Sequence, residues 1–171
     1  MNQVKFLTPS QVKLYVTEIN QDIADTLVNN AILMVQESLL KPTFGQEWFD
    51  ELIVQCSGNT SGSTYTAPNL YIMQNYGYWL LSYGVWQYLA TTLSLQLNSA
   101  GVRVKTSDHS VAGESKDIAF YRTFIENYID NVRKTMKRYI DLHKTDYPLY
   151  YNNTYHDKPS KDIYNFKIGK V

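Results

Sequence analysis

Apolar residues recur at helical spacing along most of the chain, and polar breaks divide the pattern into five segments. Thr8-Pro9 opens the first: a hydroxyl able to cap a helix, then a proline suited to the first helical position. A short helix follows, with Val12, Tyr15 and Val16 apolar. After Asn20 as a cap, Ile23, Leu27, Ala31, Met34, Val35 and Leu39 form a stripe of about five turns from Gln21. Asp22 and Asp25 stand at its positive end. Pro42 disfavours helical geometry at Lys41, so the pattern predicts that this helix ends there, with Gly45 as a joint. A third helix is predicted over Gln46–Gln55, with Trp48, Phe49, Leu52, Ile53 and Cys56 inward.

Residues 57–66 are polar and read as a loop. Pro68 then opens a long central helix reaching Gln96. Gly77 and Gly84, seven residues apart, share one of its faces, where another backbone can come close. After Gly101, the alternation in Val102-Arg103-Val104-Lys105 predicts a short extended or β segment near 102–106. A last long helix is predicted from Lys116 to His143, on the stripe Ile118, Tyr121, Ile125, Tyr128, Ile129, Val132, Met136, Tyr139 and Ile140. Pro148 ends regular helix. The remainder has no helical period but carries Tyr147, Tyr150, Tyr151, Tyr155, Tyr164 and Phe166 with interspersed lysines, and reads as an extended arm that orders on a partner. The expectation is therefore an all-α chain, a bundle of four to five helices over residues 1–146, followed by a C-terminal arm over 147–171.

Composition changes this picture only where it is uneven. The 171 residues are 44% hydrophobic and 19% charged, an ordinary globular balance. Tyrosine occurs 15 times, and its large ring with a polar tip suits wet protein interfaces as well as cores. The net charge is zero, yet residues 1–100 hold three Lys, no Arg and seven acids, whereas 101–171 hold thirteen bases and nine acids. An acidic and a basic flank on one subunit suit head-to-tail pairing, which gives a ring when the rotation closes. Tyr76–Leu95 is uncharged and long enough to cross a membrane, but its four tyrosines and its Gln, Ser and Thr point to a helix enclosed by protein. Met1–Leu7 does not read as a secretory signal, and the sequons at Asn59 and Asn152 read as chance.

Chemistry is sparse. His109 sits beside Asp108 in a polar loop and reads as solvated; His143 and His156, near Asp146 and Asp157, lack the paired spacing of a metal site. Cys56, the single cysteine, excludes an internal disulfide and has no histidine nearby. No phosphate loop or dinucleotide turn occurs. Arg133, Lys134, Lys137, Arg138 and Lys144 cluster on the last helix and could touch phosphates, but Asp130, Asp141 and Asp146 offset them, so a solvated face or an acidic neighbour fits better.

The order of segments, and above all the run Leu39-Leu40-Lys41-Pro42-Thr43-Phe44-Gly45-Gln46-Glu47-Trp48-Phe49-Asp50-Glu51-Leu52, resembles the head–tail connector adaptors of tailed bacteriophages, most of all the ring proteins below the portal in crAss-like phages of Bacteroidota. The likeness covers roughly residues 8–145 and is a pattern of residue types without a catalytic signature. It implies a virion structural protein, assembled in the bacterial cytoplasm, that forms a ring of twelve copies at the head–tail junction. It implies contacts with the portal and the next tail or ring protein, DNA only as passing cargo, no cofactor, no membrane and no reaction. A tail-completion or terminator protein is the first alternative role, and a small membrane-associated or regulatory helical protein the second. Pro42, Phe44, Gly45, Trp48, Gly77 and Gly84 are expected to be structural. Arg103, Lys105, Tyr147, Pro148, Tyr150, Tyr151, Tyr155, Tyr164 and Phe166 are expected to contact neighbouring subunits.

Overall fold

Residues 4–17, 19, 21–57, 65–98, 101–104 and 115–151 are described in the structure, a computed structural model, and they are mostly helical. The first helix, α1 (Pro9–Tyr15), begins as its sequence predicts: the Thr8 hydroxyl accepts from the Gln11 backbone N–H, and the Gln11 side chain accepts from the Thr8 N–H at 2.8 Å. That reciprocal pairing satisfies two backbone donors that the first turn leaves open.

The second helix differs from expectation at both ends. α2 runs Asp25–Val35, so the residues from Gln21 to Ile23 form turns instead. They are held by buried Lys13, whose ammonium donates to the Gln21 and Ile23 carbonyls and to Asp25. The face is also rotated: Val28, Ala31, Ile32 and Val35 are buried, while Leu27 and Met34 lie outward.

At the other end, Pro42 does not stop the helix. A π-helical turn, Gln36–Leu40, leads directly into α3 (Lys41–Phe44), and the chain turns only at Gly45, whose φ of 89° suits glycine. In a regular helix the Pro42 ring would press on the carbonyl four residues back. The wide turn just before it, in which the Lys41 N–H reaches back to the Gln36 carbonyl, removes that conflict.

Helix α4 (Gln46–Ser57) buries Trp48, Phe49 and Leu52. The central helix is built in three pieces: α5 (Ala67–Ile72), a second π turn (Met73–Gly77) and α6 (Tyr78–Ser94). Helices α1, α2 and α7 (Ser115–Leu142) all pack along α6. Between α6 and α7, Leu95–Asn98 (β1) and Gly101–Val104 (β2) pair antiparallel, with Gln96 opposite Arg103. No helix among the described residues is long and apolar enough to cross a membrane. α6 is apolar because it is enclosed: Leu80, Leu81 and Val85 are fully buried.

The two mid-helix glycines are both buried, for different reasons. A Cβ on Gly84 would lie 2.6 Å from Val35 Cγ1 and 2.8 Å from Leu39 Cδ2, so this glycine lets α2 and the adjoining π turn approach α6. A Cβ on Gly77 would meet the flexible thioether of Met73, 2.7 Å from its sulfur. Gly84→Ala is therefore expected to lose about 1–2 kcal/mol, since overpacking against stiff Val35 outweighs the gain in helix propensity. Gly77→Ala should stay within about 1 kcal/mol of wild type. Urea denaturation of the two variants side by side checks the contrast.

The chain does not leave the core at Tyr147. After a 3-10 turn (Lys144–Asp146), residues 148–151 form a last short helix, α8 (Pro148–Tyr151), packed on α4. Tyr147 and Tyr150 are buried, so the expected boundary before Tyr147 falls inside the core. The physical reason is the aromatic surface around Trp48, which the two tyrosines cover.

Candidate interaction surface

Helix α7 has 28 residues and two distinct faces. Ile125, Ile129, Met136 and Ile140 are buried, with Val132 and Tyr139 half-buried beside them; this is the predicted core stripe. Tyr128 stacks on Tyr83 with ring centroids 4.1 Å apart, and Glu126 accepts from Gln87, so the contact with α6 is aromatic and polar as well as aliphatic. Arg133 reaches across to α3 and donates to the Thr43 hydroxyl from two nitrogens, at 2.9 and 2.7 Å.

Away from this core face, three large apolar side chains are exposed among the described residues of α7: Phe120 (69%), Phe124 (52%) and Leu142 (76%). At 3.6 residues per turn they fall within roughly 40° of one another around the helix. Exposed Asn127, Asn131 and Arg138 complete the same stripe, which steps by three, four or seven residues. Lys134 stands at its edge. A scattered exposed apolar residue needs no explanation, but three on one face of one helix make a directed surface.

A second, smaller stripe lies on α2, where Leu27 (44%) and Met34 (53%) are seven residues apart and point the same way. Sequence reading overlooked both stripes as surfaces. It assigned Leu27 and Met34 to the core, and it did not single out the phenylalanines. The available signal was that Phe120, Phe124 and Leu142 lie off the isoleucine stripe of α7.

The residues expected to contact neighbours divide into three groups. Tyr147 and Tyr150 are core residues: Trp48 lies 5.5 Å from the Tyr147 ring and 5.8 Å from the Tyr150 ring, and the Tyr147 hydroxyl donates to the Pro68 carbonyl. Burial, with the Asp141 charge adding to it, pushes the Tyr150 phenol up to about 12. Burial likewise pushes Tyr147 well above the ordinary tyrosine range. Pro148 and Tyr151 are exposed on α8, and the Tyr151 hydroxyl donates to Asp141 at 2.7 Å. Arg103 lies in β2, while Lys105, Tyr155, Tyr164 and Phe166 lie outside the described residues.

The structural set, by contrast, comes together. Phe44 packs edge-on against Trp48 at 4.9 Å, immediately before and after the Gly45 turn, with Pro42 at the start of α3.

The remaining chemical candidates have structural settings. His143 stacks on Tyr139 at 4.2 Å, with Nδ1 2.9 Å from the Tyr139 carbonyl, and Tyr139 stacks in turn on Tyr71. Cys56 is half-buried, with its thiol 3.6 Å from the Lys5 carbonyl and in contact with Tyr65, whose phenol is pushed up chiefly by burial. His109, His156, Asp108 and Asp157 lie outside the described residues.

No curated protein and no solved structure matches the chain. The model of a family of unknown function, DUF6712, matches residues 40–160, well over half of the sequence and including α3 to α8. The chain belongs to that family.

Proposed function

We propose that this protein is a structural subunit of a homo-oligomeric ring at the head–tail junction of a tailed bacteriophage, joining the portal to the next tail component while DNA passes through the channel. The observation that carries the reading is the exposed apolar stripe Phe120–Phe124–Leu142 along α7, a surface suited to helix packing against another chain. The likeness of Leu39–Leu52 to connector adaptors supplies the place in the virion. In this reading residues 152–171, with Tyr155, Tyr164, Phe166 and four lysines, are the extended arm, and they reach a neighbouring subunit or the next ring. The β1–β2 hairpin, carrying Arg103, is a second reach toward the stack. The side chains serve to hold copies together and carry no reaction.

Electron microscopy of the purified full-length chain, alone and mixed with the portal protein from the same phage, tests this. Rings with a central channel are expected in at least one of the two samples. A chain that stays monomeric in both samples overturns the proposal.

A further inference from the structure

We propose that the β1–β2 hairpin is an unfinished sheet, and that residues 164–168 of a neighbouring copy complete it by adding a third strand along β1. The inference rests on the ring reading above and names the surface that receives the arm. Among the described residues the sheet has two strands, so each strand presents one edge of backbone N–H and C=O groups to no third strand. Beyond α6, which leads into it, the hairpin packs extensively on no other described element. A two-stranded ribbon on its own is at best marginal in water, and a third strand is one ordinary remedy. The ribbon is also two-faced. By strand alternation Leu95, Leu97, Val102 and Val104 share one face, and Gln96, Asn98, Gly101 and Arg103 share the other.

The sequence of the arm names the occupant. Tyr164-Asn165-Phe166-Lys167-Ile168 alternates apolar and polar residues, with aromatic and β-branched types at the apolar positions, and Gly169 follows. That is the pattern of a strand with one covered face. Laid beside β1, Tyr164, Phe166 and Ile168 extend the face of Leu95 and Leu97, while Asn165 and Lys167 extend the face of Gln96 and Asn98. Charge chooses the edge. β1 carries no charged residue, whereas β2 carries Arg103, which Lys167 would meet as a like-charged neighbour.

Length assigns the arm and the hairpin to different copies. Helices α6 and α7 run antiparallel, with Gln87 against Glu126, Tyr83 against Tyr128 and Tyr76 against Tyr139. Helix α8 lies at the end of this pair where Tyr151 meets Asp141 and Tyr139 meets Tyr71; β1 begins at the other end, after Ser94. The helical path from Tyr71 to Ser94 rises about 35 Å. Residues 152–163, which link α8 to the alternating segment, span at most about 40 Å when fully extended. An arm seated on its own hairpin would have to run nearly straight along the whole bundle. The hairpin of an adjacent copy imposes no such path, and the exchange leaves every copy with one arm to give and one edge to offer, as a ring requires.

Hydrogen exchange read by mass spectrometry tests this on the full-length chain, once as dilute protein and once as rings, formed alone or with the portal. The amides of Leu95–Asn98 and of residues 164–168 are expected to exchange on the order of tenfold more slowly in the rings than at dilution. Asn165→Pro combined with Phe166→Pro removes the arm's N–H on whichever side faces β1. This double variant is expected to keep the wild-type thermal melt, to lose the slowing at β1, and to weaken assembly by on the order of tenfold in dissociation constant. If β1 exchanges as fast in the wild-type rings as at dilution, the inference falls, while the rings themselves keep the ring reading. If β1 is equally slow at every dilution in the wild-type chain, the arm sits on its own hairpin, and the exchange between copies is overturned. If the double variant retains the slowing at β1, another surface covers that edge and the inference falls. If no rings form, alone or with the portal, the inference and the ring reading fall together.

Discussion

Deleting residues 147–171 is expected to leave the fold roughly 3–6 kcal/mol less stable than ending the chain after Tyr151 does. The first deletion removes Tyr147 and Tyr150, both buried against Trp48, each worth roughly 1.5–3 kcal/mol of apolar burial. It also uncovers Trp48 and takes away the hydroxyl that the Pro68 carbonyl accepts from. A domain of this size is stable by about 5–15 kcal/mol in all, so the longer deletion consumes a large share of that margin. The shorter one spares every core residue named above. It tests the arm with Tyr147 and Tyr150 in place: ring formation should weaken while the denaturation midpoint stays well above that of the longer deletion. Urea titration of the three chain lengths by tryptophan fluorescence reads the stability difference. Equal midpoints for the two truncated chains would refute the assignment of Tyr147 and Tyr150 to the core.

Periodicity places the end of the core before Tyr147 because α8 has only four residues, too few to display a helical period. What holds α8 is a tertiary contact between residues about one hundred positions apart, Trp48 with Tyr147 and Tyr150. A single sequence does not reveal that pairing. The same limit explains α2. Its apolar residues occupy two adjacent faces, and the pattern alone did not say that Val28 and Ile32 face inward while Leu27 and Met34 face out. At Pro42 the rule against helix before proline was sound for an α-helix, but it has no provision for a π turn that changes the ring's neighbours. Long elements with strong periods were legible: α7 lies within a residue of its expected ends, the Thr8 cap forms, and the close approach at Gly84 was visible in the glycine's position within an apolar helix. Surface stripes were harder to see, because an exposed phenylalanine and a buried one look alike until the core face is known. For Arg103 and Lys105, and for the aromatic residues past Tyr151, the expectation of contact rests on composition and charge alone.

The segment that carries the likeness to connector adaptors, Leu39–Leu52, forms the Gly45 corner, and Phe44, Trp48 and Phe49 in it are core residues. Its role is to fix how α2 and its continuation are set against α4. The outward faces of α2 and α4 inherit their relative orientation from that corner.

Trp48→Ala is therefore expected to be the most damaging single substitution, at about 3–5 kcal/mol for the lost side chain, with a further cost of roughly 1–3 kcal/mol for a stranded acceptor. The indole N–H donates to Asn69 Oδ1 at 2.9 Å in a buried setting, and Asn69 itself donates to Glu51 and Gln55 on α4. Phe44, Tyr147 and Tyr150 all pack on the indole ring, so four elements, α3, α4, α5 and α8 with its preceding turn, meet at this one residue. Trp48→Phe separates the two contributions: it keeps most of the ring contact and removes the N–H, so it should cost about 1–3 kcal/mol. Denaturation followed by far-ultraviolet circular dichroism gives both values without relying on the tryptophan signal. A Trp48→Ala variant as stable as one carrying Lys137→Ala, at an exposed position on α7, would show that the corner does not depend on this residue. A Trp48→Phe variant as damaged as the alanine variant would place the dominant contribution in the hydrogen bond to Asn69 instead of in the packed ring.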